Sequence, residues 1–141
     1  MERGSGVLLH ISSLPGEYGG GSFGEDAKRF VDFLVDCGFR YWQTLPFCMP
    51  DAFHSPYKSF SAFSGNPYFI DLPGLYKMGL LTDGELAGAK QQTPYACEFE
   101  RLSRERMQLL ASAAQRAGED PVLMQKIHDF TAENPQIEAF C

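Results

Sequence analysis

Two short apolar runs with an amphipathic segment between them open the chain. Residues 6–11 are almost continuously apolar and residues 41–47 are rich in aromatic and branched side chains, so each run predicts a strand buried on both faces. The intervening segment repeats apolar residues at helical spacing and meets Gly38 where a helix stop is expected. The apolar positions of that helical face are Ala27, Phe30, Val31 and Leu34. The pattern predicts a β-α-β unit.

A β-α-β unit restricts the fold class to α/β. Its two strands are parallel, the crossover is expected to be right-handed, and a parallel sheet needs helices on its faces. Both an open α/β sheet and a (β/α)8 barrel satisfy these conditions. The pattern alone leaves the two architectures open.

Helical signals dominate the second half. Thr82 and Glu85 have the spacing of a capping box, and an apolar stripe predicts a helix from Phe99 to about Ala117. The stripe consists of Phe99, Leu102, Arg106, Leu109, Leu110 and Ala113. Asp120-Pro121 and Asn134-Pro135 each predict another helix start. We therefore expect two regions, residues 1–81 and a mostly helical region of residues 82–141.

Composition narrows the possible partners and the compartment. The formal net charge is -6 and the 12 basic residues are scattered, so no basic stripe is available for nucleic acid. The apolar runs are too short for a membrane span or a signal peptide. The cysteines, which are Cys37, Cys48, Cys97 and Cys141, form no CxxC pair. We expect reduced thiols in a cytoplasmic protein.

The segment 49–73 is the strongest candidate for a binding loop. It changes to proline, serine, glycine and aromatic residues, and a loop of this length in a compact domain is usually functional. Its rings are Phe53, Tyr57, Phe60, Phe63, Tyr68 and Phe69, interleaved with Ser55, Lys58, Ser59, Ser61 and Asn66. Rings beside hydroxyl and amide groups suit a sugar, which has an apolar face and a polar rim. Because most aromatics pack in cores, we expect about two-thirds of these rings to be buried.

Other candidate sites are weaker. Residues 19–24 match GxGxxG, but seven residues separate them from the first strand, so a plain strand-to-helix loop is favoured over a dinucleotide site. His10, His54 and His128 have no second ligand at metal spacing, so no metal or cofactor is expected. His10 is expected to be a hydrogen-bonded core residue.

Nucleophiles and paired carboxylates also lack support. No serine lies in a G-x-S-x-G elbow. Asp51 and Asp71 are the nearest candidates for a carboxylate pair, and both are weak because most acidic residues lie on helix faces or in connections. The residues by themselves therefore identify no catalytic group.

Three sequence blocks resemble the amylomaltases, the 4-alpha-glucanotransferases of glycoside hydrolase family 77. Residues 6–16 (GVLLHISSLPG) are similar to the opening of that family and residues 40–46 (RYWQTLP) to its second-strand segment. Residues 55–67 (SPYKSFSAFSGNP) resemble its signature loop. The resemblance is specific from Gly6 to about Leu86.

The resemblance implies the start of a (β/α)8 TIM barrel: its first two strands, the helix between them and part of an inserted, mostly helical subdomain. It implies an enzyme that transfers a segment of a 1,4-α-glucan to the 4-hydroxyl of glucose or another glucan by a retaining two-step mechanism. The family's catalytic carboxylates belong to later strands, so the resemblance implies no catalytic residue here and predicts that these 141 residues alone are inactive.

Two residues carry over as substrate contacts. Tyr57 matches a tyrosine that packs near the sugar at the family's cleavage site, and Ser55 lies beside it. The expected partners are maltose, maltotriose and maltodextrins, with no cofactor. Two alternatives stay open: a non-catalytic glucan-binding module that uses the aromatic loop, and, ranked last, a nucleotide-binding domain built on residues 19–24.

Overall fold

The first third of the computed structural model is a β-α-β unit. The structure describes residues 3–51, 53, 55–59 and 65–140. Strands β1 (Gly6–Leu8) and β2 (Tyr41–Gln43) pair in parallel, with Gly6 opposite Tyr41 and Leu8 opposite Gln43. Helix α1 (Glu25–Asp36) connects them. The predicted unit is confirmed, with strands shorter than the apolar runs suggested.

Helix α1 covers one face of this small sheet. Its side chains Ala27 and Leu34 are buried, and the Phe30 ring meets the Trp42 ring edge-on with centroids 4.9 Å apart. The Trp42 indole N–H also donates to the Leu9 carbonyl at 2.8 Å, which ties the end of β1 to β2. The chain leaves α1 at Gly38, whose φ of 73° favours glycine.

The prediction that both faces of the strands are buried is wrong for the described part of the chain. Leu8 and Tyr41 point away from α1 and are 59% and 63% exposed. Val31 and Phe33 on α1 are also exposed. The apolar runs are those of an interior parallel sheet, and the described residues supply a helix for one face only.

Segment 49–73 is not a loop throughout. A 3-10 helix occupies Pro67–Phe69, and α2 (Leu72–Lys77) begins before the predicted loop ends. The Asp71 carboxylate accepts a hydrogen bond from the Gly74 N–H at 2.9 Å and so caps α2. Asp71 followed by Pro73 is a helix start signal, similar to the Asp-Pro pair that precedes α5.

Three further helices follow, α3 (Asp83–Ala89), α4 (Phe99–Gly118) and α5 (Pro121–Glu133). The predicted capping box at α3 and the Asp120 cap of α5 are confirmed. The predicted last helix is instead a 3-10 helix at Pro135–Phe140. The Asn134 side-chain amide donates to the Phe130 carbonyl of α5 at 2.9 Å.

An ion pair joins α3 to α4. Arg116 donates to both carboxylate oxygens of Glu85 at 2.9 Å and to the Leu80 carbonyl at 2.8 Å. The Arg116 guanidinium, together with the hydrogen bonds from Thr82, lowers the pKa of Glu85 to about 2. This pair fixes the start of α3 against the last turns of α4.

Helix α4 takes part in both apolar clusters of the described chain. Leu102 packs with Ile11 and Phe69 in the first cluster, and Ala113 packs with Leu72 in the second. Contacts therefore cross residue 81, and the division of the chain there stays a prediction. Among the described residues, no helix combines the length and apolar character needed to cross a membrane.

Candidate functional site

The loop after β2 folds back on itself at residues 50–59. Pro50 and Ser59 form an antiparallel bridge, and the Asp51 N–H donates to the Lys58 carbonyl at 2.8 Å. The Asp51 carboxylate accepts from the Phe53 N–H at 3.0 Å. Local hydrogen bonds of this kind compete with regular structure, so the segment forms a compact turn on the surface.

The turn presents its aromatic rings to solvent. Phe53 is 82% exposed and Tyr57 is 72% exposed. The Lys58 ammonium lies 5.7 Å from the centre of the Phe53 ring, within cation–π range. Ser55 is half-buried, and its carbonyl accepts from the Lys58 N–H at 3.0 Å. The two predicted substrate residues thus lie on one turn, with the Tyr57 ring accessible.

The other described rings of the predicted cluster are buried. Tyr68 and Phe69 are 7% and 4% exposed and belong to the first apolar cluster. Phe60, Phe63, Ser61 and His54 lie outside the described residues. Of the four rings that the structure describes, two are therefore buried and two exposed, whereas about two-thirds were expected to be buried.

His10 is held by hydrogen bonds at the end of β1. Its Nδ1 lies 2.8 Å from the Ser12 hydroxyl and its Nε2 lies 3.3 Å from the Pro46 carbonyl. Its ring stacks on Phe47 and meets Phe69 edge-on. Desolvation lowers the pKa of His10, so the neutral ring is favoured. The hydrogen-bonded role expected for His10 is confirmed, but the residue is half-buried and does not belong to the core.

The two weak carboxylate candidates serve the local structure. Asp51 supports the turn just described, and Asp71 caps α2 while accepting from the Ser22 hydroxyl at 3.1 Å. His128 is exposed on α5. Within the described ranges, no group of three or more His, Cys, Asp or Glu side chains is arranged to hold a metal ion.

The GxGxxG segment brings the backbone close to other parts of this protein. Gly19 has a φ of 99° and lies against Leu102 of α4. Gly24 is the N-cap of α1, and the Asp71 carboxylate lies against it. A carboxylate at this helix N-terminus would repel a pyrophosphate. The geometry favours the plain loop over the dinucleotide site.

A second set of residues, which the sequence did not single out, organises the loop after β1. The carbonyls of residues 16–19 all accept hydrogen bonds from residues 91–106. Gly16 accepts from Gln91 Nε2 at 2.5 Å, and Glu17 accepts from the Gln91 N–H at 2.7 Å. Tyr18 accepts from Arg106, and Gly19 accepts from the Glu98 N–H at 2.8 Å. We call this set of contacts the carbonyl clasp.

The two side chains that donate within the clasp, those of Gln91 and Arg106, are buried. In the described part of the chain, Gln91 and Arg106 are the buried polar or charged residues, at 8% and 4% exposure. Burial lowers the pKa of Arg106 to about 10, and its guanidinium still remains charged near neutral pH. Arg106 was visible in the sequence as the one charged residue within the apolar stripe of α4. A cavity of about 480 Å³ lies beside it.

Most of the chain matches a known protein family. Residues 9–141 match the family model described as 4-alpha-glucanotransferase. A 4-alpha-glucanotransferase of Streptococcus pneumoniae is 59% identical over 87 residues, which is 62% of this chain and 17% of the relative. A chloroplastic/amyloplastic 4-alpha-glucanotransferase of Oryza sativa subsp. japonica is 34% identical across 98% of this chain and 24% of its own length.

A solved structure is similar over nearly the whole chain. An amylomaltase from Streptococcus agalactiae, in complex with acarbose, aligns with a TM-score of 0.90 and 35% sequence identity. The alignment covers 99% of this chain and 28% of that protein. The chain thus spans 17% and 24% of the length of the two relatives named above, and 28% of the protein in the solved structure.

Proposed function

The chain belongs to the 4-alpha-glucanotransferase family, and we propose that it forms the amino-terminal part of an enzyme that transfers segments of α-1,4-glucan. The observation that carries the proposal is the similarity of the whole described fold to an amylomaltase at a TM-score of 0.90. In this proposal β1, α1 and β2 are the first elements of a (β/α)8 barrel, which needs about 250 residues in all. The helices after residue 81 are part of an inserted subdomain.

The proposed reaction is a retaining two-step transfer. An aspartate holds the glucan as a covalent intermediate, a glutamate acts first as acid and then as base, and the glucan passes to the 4-hydroxyl of glucose or another glucan. Both carboxylates belong to the part of the family that this chain does not cover. The chain contributes binding surface rather than the reacting groups.

Tyr57 and Ser55 are the proposed substrate contacts. The exposed Tyr57 ring offers a flat apolar face for a glucosyl unit, and its hydroxyl offers a hydrogen bond. Ser55 lies on the same turn and adds a hydroxyl. The proposed substrates are maltose, maltotriose and longer maltodextrins. The unpaired cysteines Cys37, Cys48 and Cys97 favour a reducing compartment, and we place the protein in the cytoplasm.

The test joins this chain to the part of the Streptococcus agalactiae amylomaltase that it does not cover, and we call the product the fused enzyme. We expect the fused enzyme to convert maltotriose into glucose and longer dextrins, and residues 1–141 alone to release no glucose. Maltotriose binding by a folded, monomeric 141-residue chain, together with a fused enzyme that transfers nothing, would instead favour the non-catalytic glucan-binding module.

The role of Tyr57 is tested in the fused enzyme. Tyr57→Ala should raise KM for maltotriose by roughly tenfold or more, because a lost binding contact weakens substrate affinity. Tyr95→Ala is the matched control, since Tyr95 is also exposed, at 85%, and lies on a different loop. Equal kinetics for the two variants would remove Tyr57 from the site.

A further inference from the structure

We propose that Gln91 and Arg106 are positioning residues, which hold the loop after β1 in the shape that substrate binding needs. The inference rests on the proposed function. In a parallel β/α fold the loops that follow the strands line the substrate site. Residues 16–19 lie in such a loop, and the clasp occupies the carbonyl of every one of them.

The clasp restricts this loop to one conformation. Each of the four carbonyls has its own donor, so a rotation of any one peptide plane breaks a hydrogen bond. The loop is also held through one of its amides, because the Gly16 N–H donates to the Pro94 carbonyl at 2.9 Å. Gln91 Nε2 makes a second bond to the Ala96 carbonyl at 3.0 Å. Inside a protein such bonds are stronger than in water.

Arg106 extends the clasp to the loop after β2. Its guanidinium also donates to the Ile70 carbonyl at 3.2 Å. Ile70 follows Phe69, whose ring contacts His10 at the end of β1, and it precedes Asp71, which binds Ser22. A single buried side chain on α4 thus joins the segments that follow both strands.

The planar fork of arginine suits this task. Among the described ion pairs none includes Arg106, so its charge strengthens hydrogen bonds to carbonyls. Lysine carries the same charge on a single nitrogen and does not match the fork geometry. Arg106→Lys should therefore keep the fold and lose part of the positioning.

Arg116 provides a matched control. It lies on α4 like Arg106, and its guanidinium donates to the Leu80 carbonyl and to the Glu85 carboxylate. Neither acceptor belongs to the clasp, so Arg116→Met removes guanidinium hydrogen bonds of α4 and leaves the four carbonyls of the clasp with their donors. Arg101 is unsuitable as a control, because it pairs with Glu98 at 2.7 Å and donates to the Lys90 carbonyl, which shares a peptide plane with the Gln91 N–H.

The experiment compares Arg106→Met, Arg106→Lys, Gln91→Met and Arg116→Met in the fused enzyme. We expect Arg106→Met and Gln91→Met to raise KM for maltotriose by roughly tenfold or more with kcat within about threefold, because the carboxylates lie elsewhere in the enzyme. Arg106→Lys should be intermediate. Arg116→Met should lower Tm and leave KM within about twofold of the unmodified value.

Amide hydrogen exchange tests the clasp separately from catalysis. The Glu98 N–H should exchange faster in Arg106→Met and remain protected in Arg116→Met, and the Gln91 N–H should behave in the same way. Unchanged exchange in Arg106→Met, or an equal rise of KM in Arg116→Met, would overturn the positioning role. If Arg106→Met does not fold, Arg106→Lys and Gln91→Met decide. A fused enzyme without transfer activity refutes the proposed function, and exchange then decides whether the clasp holds the loop.

Discussion

Expressing residues 1–141 alone should give a chain with an abnormally large accessible surface. Its accessible surface is 9649 Å² for a mass of 15.7 kDa. A compact protein of that mass exposes about 7,300 Å², so the excess is about 2,400 Å², the size of an obligate interface. At the usual apolar share, about 1,400 Å² of this excess is apolar.

The assay is dye binding combined with calorimetry and sedimentation. The isolated chain should enhance ANS fluorescence strongly, self-associate and melt without a sharp transition, whereas the fused enzyme should do none of these. Leu8→Glu together with Phe33→Glu should reduce dye binding by the isolated chain, because both side chains are more than half exposed. A monomeric isolated chain with a cooperative melt and weak dye binding would refute the reasoning.

Three further predictions concern the fused enzyme. Leu72→Ala should lower the free energy of unfolding in urea by about 2 to 5 kcal/mol, since Leu72 is 1% exposed. Asp120→Ala should lower it by about 1 kcal/mol, because two amides of α5 lose their acceptor, while Asp129→Ala on the same helix should change it by less than about 0.5 kcal/mol. Glu85→Gln should lower Tm at neutral pH. The folded-state pKa of Glu85 is about 2, below its ordinary 4.5, so the Tm difference should shrink as pH falls from 4.5 towards 2, and a difference that persists below pH 2 would contradict it.

Local signals were sufficient where a few neighbouring residues decide the structure. The spacing of Thr82 and Glu85 predicted a capping box that forms as expected, and Asp120-Pro121 predicted the start of α5. The helical stripe of α1 and the two apolar runs predicted the β-α-β unit. In each case the signal itself, a cap or an apolar repeat, lies within a few neighbouring positions.

Hydrogen bonds between residues far apart in the sequence could not be predicted from local patterns. Arg106 and Tyr18 are 88 residues apart, and Gln91 and Gly16 are 75 apart, so no local window contains both members of a pair. The apolar runs at β1 and β2 are typical of strands covered on both faces, so both faces were predicted to be buried. The described residues cover only one face. The surface turn at Tyr57 was found through its composition and its resemblance to a family motif.

The sequence distance within the clasp determines when the first loop can form during synthesis. Tyr18 leaves the ribosome 88 residues before the Arg106 that binds its carbonyl. At a synthesis rate of about 5 to 20 residues per second, that gap lasts roughly 4 to 18 s. Until Arg106 has been synthesised, the Tyr18 carbonyl lacks this donor. The first β-α-β unit therefore emerges early, and its loop reaches its final shape only after the first turns of α4 have been translated.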